Sequence, residues 1–281
     1  MKNDARRLSI LSTDEIDELF GLPHFSDDDR RLYFDLSAKE RELFDNTRTF
    51  SVAAHLVLQL GYFKAKRQFF SYEQESSVLN DLDYIAALYF PTKTLSRLKS
   101  PSRPIRAEQQ RAILDLFQYK QCDNEVKVDL EDKAQRVAML STQPIFIFRE
   151  LTQYLALHRI VMPSYRYMQE MIGRVVAYER TRIARLLSTC MTSLIDQQLA
   201  ALLRAESGVF RVSALKHEAK DFSYKELRQE GARRQFFQPL HEFAKQFLIT
   251  AGISNESGKY YASMVKFYTT YKLQRMKKET A

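Results

Sequence analysis

The chain has 281 residues, enough for one large domain or roughly two to three small ones. Its 45% apolar and 28% charged residues exclude a disordered chain, and a net charge of +8 points toward an acidic partner. Cys122 and Cys190 have no paired spacing, which excludes a disulfide framework or a cysteine zinc site and suits a reducing cytoplasm. The amino terminus carries only a four-residue apolar patch, and no run approaches the ~18 apolar residues of a membrane span, so no signal peptide or membrane role is expected.

Seven glycines and seven prolines are less than half of what average usage, about 12%, would supply. So few breakers predict an all-α fold. The first fifty residues hold a series of helix starts. Ser12 followed by Glu15, and Ser37 followed by Glu40, are capping boxes. Ser26 before three aspartates is a third cap, with acids where the helix dipole favours them. These signals predict helices over 13–20, 27–35, 38–46 and 50–65. The stretch 58–70, LQLGYFKAKRQFF, carries an almost wholly apolar helix into Lys64, Lys66 and Arg67 among four aromatic side chains. Cations among rings suit a phosphate backbone, where they replace counterions.

A short helix is predicted to open at 71–74 and another to run over 82–90, stopped by Pro91. Residues 92–107 contain Lys93, Arg97, Lys99, Arg103 and Arg106, two prolines and no acid, and read as a basic linker. A helix follows over 107–120 with Ile113, Leu114 and Phe117 inward. The acidic stretch 123–132 reads as a surface loop leading into a helix near 131–141.

From Pro144, apolar positions recur at helical spacing up to Arg159. A short break at 160–163 precedes a longer helix that starts at Ser164. Helix, tight turn, helix is the arrangement that sets a second helix into a major groove. On that helix Met168, Ile172, Val175, Ile183 and Leu186 form the inward stripe. Arg174, Tyr178, Arg182 and Arg185 fall within an arc of about 80° beside it. Between Arg149 and Cys190 stand seven arginines, no lysine and three acids. A long helix is predicted to end near Arg204, a helix with a break at Pro239 to run from Ser223 to Thr250, and a two-faced helix to span 259–278. Its tyrosines share one side and its lysines, including Lys259 and Lys266, the other.

Signatures of catalysis are missing from this sequence. The five histidines are scattered outside any ligand spacing, and His55 reads as a core histidine. GISNESGK at 252–259 has the wrong glycine spacing for a phosphate loop and Tyr260 where Ser or Thr must hold magnesium. No cofactor and no metal site is expected.

Five stretches together resemble the amino-terminal region of Tn3-family transposases: LSTDEIDELFGLP at 11–23, DRRLYFDLSAKERELF at 29–44, LQLGYFKAKRQFF at 58–70, RIVMPSYRYMQEMIG at 159–173 and YYASMVKFYTTYKLQRM at 260–276. They occur in the family's order along almost the whole chain. The resemblance implies helical modules that bind double-stranded DNA at a transposon's terminal inverted repeats. In the family an RNase H-like domain with Asp-Asp-Glu carboxylates follows, together with a scaffold that implies self-association. This sequence ends before both, so it is expected to bind DNA and not cut it.

The expected organisation is a first DNA-binding module at 1–98, a basic linker with connecting helices at 99–143, a helix-turn-helix-like second module at 144–205, and a C-terminal helical module at 206–281. Lys64, Lys66 and Arg67 are expected to hold phosphates beside the first module. Lys99, Arg103 and Arg106 would follow the backbone between modules. Arg166, Arg174, Arg182 and Arg185 would present the second helix to base edges, with Tyr178, Lys259 and Lys266 completing the DNA-binding set. Two alternatives stay open: a free-standing regulator that occupies the repeats, and a helical interaction module that docks a partner through the tyrosine face at the C-terminus.

Overall fold

A computed structural model describes residues 8–47, 49–71, 76–92, 101–202, 205–206, 209–210, 221–254 and 258–259. Lys99, Lys266, residues 72–74 of the predicted helix start and nearly all of the predicted helix 259–278 lie outside the described residues. Among those described, eleven helices and one two-residue hairpin make an all-α fold.

The three short N-terminal helices form where their caps place them. Helices α1 (Thr13–Phe20), α2 (Asp27–Phe34) and α3 (Ala38–Asp45) each open on a reciprocal box, Ser12 with Glu15, Ser26 with Asp29 and Ser37 with Glu40. Each box satisfies amides at both ends of the first turn, which offsets the cost of starting so short a helix.

Helix α4 (Phe50–Lys66) is buried on every side from Ala53 to Phe63, so it shows no amphipathic stripe. Helices α2, α3, α5 (Ser76–Tyr89) and α6 (Arg103–Phe117) pack around it. Phe34, Leu56, Leu60, Tyr62, Phe63, Ile85 and Ile113 are fully enclosed in the resulting cluster. Burying each such side chain contributes about 1.5–3 kcal/mol. A polar pin fixes α6 against α4: the His55 ring meets Gln109 Oε1 at 2.6 Å, and Gln109 Nε2 donates to the Val52 carbonyl at 2.8 Å. Burial pushes the His55 imidazole below its usual value, so the ring is neutral and serves the core.

Several boundaries differ from the sequence reading, each for a local reason. Helix α5 starts at Ser76, well before 82. Helix α6 begins at Arg103, inside the predicted linker, because Pro104 stands in the first turn where no amide partner is lost. The acidic stretch after 123 is helical: α7 spans Asn124–Leu140. There Asp123 Oδ1 accepts from the Val126 amide at 2.9 Å and caps the helix, Glu125 stands in its first turn, and the later acids lie along it rather than in a loop. A pause at Met191 and Thr192 separates α9 (Tyr165–Cys190) from α10 (Ser193–Leu202), with Thr192 Oγ1 accepting from Ile195. Helix α11 (Tyr224–Thr250) continues through Pro239 without the predicted break. Gln235, whose carbonyl loses its intrahelical donor there, is exposed to water. The hairpin pairs β1 (Ala205–Glu206) with β2 (Val209–Phe210).

The chain divides into two compact units, one of Met1–Leu130 with Arg149–Glu170 and one of Glu131–Phe148 with Met171–Ala281. In the first, the α4-centred core is joined by the chain leading into α9. Tyr165 Oη accepts from the amides of Ile10 and Leu11 at 3.4 and 3.3 Å, and Gln169 Nε2 donates to the Leu8 carbonyl at 2.7 Å. In the second, the buried side chains include Val137, Ile147, Met171, Ile172, Val175 and Val176.

Candidate nucleic-acid interface

Helix α8 (Pro144–Leu157) and helix α9 are joined by seven residues, 158–164. The predicted tight turn is therefore longer than the 3–4 residues of a standard helix-turn-helix. Its shape follows from two local events. Arg159 enters the left-handed region (φ 51) and stops α8. Ile160 then pairs in parallel with Lys120, so the chain runs extended up to Ser164, whose hydroxyl accepts from the Tyr167 amide and caps α9.

Helix α9 carries the predicted stripe: Met168, Ile172 and Val175 are buried, and Ile183 and Leu186 are half-buried. Along its outer side Arg166, Arg174, Tyr178 and Arg185 are exposed. Arg166 pairs with Glu170 at 2.9 Å and Arg174 with Glu131 at 3.3 Å, both in water. Exposed pairs of this kind contribute about 0–1 kcal/mol, so a phosphate can displace the carboxylate at little cost. Arg103 of α6 is also exposed and Arg106 is half-buried.

Three of the predicted cations, Lys64, Lys66 and Arg182, are placed differently. Lys64 Nζ donates to the Asp35 carbonyl at 2.7 Å and reaches Glu40 at 3.5 Å. Lys66 Nζ donates to the carbonyls of Glu18 and Gly21 at 2.7 and 2.9 Å, closing the C-terminus of α1. Burial pushes both ammonium groups below their usual values. Arg182 forms a bidentate pair with the buried Glu179 and donates from both terminal nitrogens to the Ala251 carbonyl at 3.0 Å, closing α11. The Arg67 guanidinium lies over the rings of Phe63, Phe117 and Tyr119, and the residue as a whole is exposed. Lys64, Lys66 and Arg182 thus spend their donors on the negative ends of neighbouring helices.

The contrast gives a test. Replacing Lys66 with Gln should lower the unfolding midpoint, by an amount near 1 kcal/mol of helix-end stabilisation. If the expected DNA binding holds, this variant should bind with the same dependence on salt as the unsubstituted chain. Guanidinium unfolding and a salt-series titration of the same variant check both halves.

Among the described residues no three His, Cys, Asp or Glu side chains converge as metal ligands, and no helix is long and apolar enough to cross a membrane.

Fold and site together define an all-α protein whose long α9 exposes arginines along one side. Residues 10–175, more than half of the chain, match the model of a domain family of unknown function, DUF4158, and the chain belongs to that family. No curated protein matches the sequence.

Proposed function

We propose that this chain is the DNA-binding region of a Tn3-family transposase and that it recognises the terminal inverted repeats of its element. The observation that carries this is α9, one uninterrupted helix with Arg166, Arg174, Tyr178 and Arg185 exposed along it. Arginine offers a planar fork that fits both phosphate and the edge of guanine, and a helix of this width fits a major groove. Four of the five stretches that resemble Tn3-family transposases fall inside the span matched by the domain family. The net charge of +8 supplies the long-range attraction.

In this proposal the exposed cations neutralise phosphates and release counterions, while α9 reads bases. The chain binds and does not cut: cleavage in the family belongs to a separate carboxylate domain. A magnesium-dependent cutting assay with this chain alone should show no product.

Fluorescence anisotropy against an inverted-repeat duplex and a scrambled duplex, at two salt concentrations, tests the central claim. The repeat should bind tighter, and affinity should fall steeply with salt on both duplexes, with a log–log slope near −0.9 per phosphate neutralised. Equal, weak binding to both duplexes would leave a basic helical protein without sequence recognition.

A further inference from the structure

In the first unit, α4, α6 and α8 end on residues in the left-handed backbone region: Arg67 (φ 54), Gln118 (φ 56) and Arg159 (φ 51). Glycine is the ordinary residue at such helix ends, because any Cβ crowds the backbone there. Asparagine is the usual substitute. Here two of the three positions hold arginine.

These ends meet on one short segment, 117–120. The Arg67 guanidinium lies 5.4 Å from the centre of the Phe117 ring and 5.8 Å from that of Tyr119. Arg159 Nη1 donates to Gln118 Oε1 at 3.0 Å, and the Arg159 carbonyl accepts from the Lys120 amide at 2.8 Å. Lys120 in turn accepts from the Val161 amide at 2.9 Å, so the backbone at Lys120 is held from both sides. Arg67, Lys120 and Arg159 are all exposed. Among the described residues no carboxylate forms an ion pair with any of them.

Helix-end capping does not account for these cations. Lys64, Lys66 and Arg182 each donate to a helix-terminal carbonyl. At the ends of α4, α6 and α8 backbone amides reach terminal carbonyls instead: Arg67 to Phe63, Tyr119 to Leu114 and Ile160 to Leu155, each at 2.9 Å. The side chains are left facing solvent, with Arg67 oriented by rings and Arg159 by an amide oxygen. That restraint removes part of the ordering cost of gripping a ligand.

We propose that Arg67, Lys120 and Arg159 form a phosphate clamp for duplex DNA, an inference that rests on the DNA-binding proposal above. Two guanidinium forks and one ammonium suit backbone phosphates and carry no base preference.

Glycine variants separate binding from folding. R67G/K120Q/R159G gives the two left-handed arginine positions the residue that their backbone favours, so the chain should still fold, as circular dichroism and a melting curve would show. Anisotropy titrations across a salt series should then give a log–log slope shallower by about 0.9 for each phosphate that is no longer gripped. Affinity should drop by a similar factor on repeat and scrambled duplexes. If the triple variant melts early, K120Q alone, an exposed change, should still make the slope shallower by about 0.9. An unchanged slope in a folded variant, while the intact chain binds in a salt-dependent manner, overturns the clamp and leaves the DNA-binding proposal standing. Failure of the intact chain to bind either duplex overturns both.

Discussion

Replacing Asp81 with Ala should destabilise the protein by about 3–5 kcal/mol, the usual cost of removing one partner from a buried charge pair. The carboxylate is 1% exposed. It accepts from Arg30 Nε at 2.8 Å and from Tyr62 Oη at 2.9 Å, and Tyr62 is itself fully enclosed. One side chain therefore ties α2, α4 and α5 together. Alanine removes the carboxylate that accepts from the Tyr62 hydroxyl and leaves a cavity beside it, while Arg30 keeps its pair with the exposed Asp27. Asp81→Asn keeps an acceptor for Tyr62 and should cost less. Chemical denaturation of the two variants checks the order.

The same group sets a dependence on pH with an unusual sign. Burial pushes the Asp81 carboxyl up, and the donors from Arg30 and Tyr62 pull it down without cancelling that effect. Between the ordinary value and the raised one, the folded state holds a proton that the unfolded chain has already released. Stability from this group is present below about 3.8, the ordinary value, and is lost as pH rises through the raised folded value. An ordinary salt-bridged carboxylate behaves in the opposite way.

What was legible in the sequence was local. The capping boxes at Ser12, Ser26 and Ser37 need only a hydroxyl and a carboxylate three residues apart, and each predicted a helix start that the structure places at the next residue. The burial of α4 followed from a run with no polar face. Wrong boundaries arose where one residue type serves two opposite ends. Pro104 reads as a linker breaker and instead starts a helix. The acids after Asp123 read as a solvated loop and instead lie along a capped helix.

The roles of the cations were less legible still, because they depend on partners far along the chain. Lys66 reaches a carbonyl 48 positions away and Arg182 one 69 positions away. Nothing in KAKR distinguishes a lysine that caps a distant helix from an arginine that lies exposed on aromatic rings. Arg159, at a helix end just before a proline-containing break, and Lys120 carry no local signal for the same reason: the bridge between Lys120 and Ile160 exists only in the fold.

Replacing Gly61 with Ala should destabilise the protein by about 1–3 kcal/mol, even though alanine is the better helix former by about 1 kcal/mol. Gly61 lies within α4, where a Cβ would collide with Cε1 and Cδ1 of Phe34. A contact that short cannot be kept, so either the ring or the backbone must shift. The ring has nowhere to go. Phe34 is fully enclosed, with Phe25 edge-on at 5.4 Å and Tyr62 and Tyr84 at 6.4 and 6.2 Å between ring centres. The strain therefore moves to the α2–α4 contact, forcing the two helices apart along their interface. Thermal unfolding of Gly61→Ala should show a lower midpoint. Adding Phe34→Leu to the same chain should recover part of the loss, since the smaller side chain vacates the space that the new methyl needs. If the two changes together cost as much as the sum of each alone, the glycine does not act through that ring.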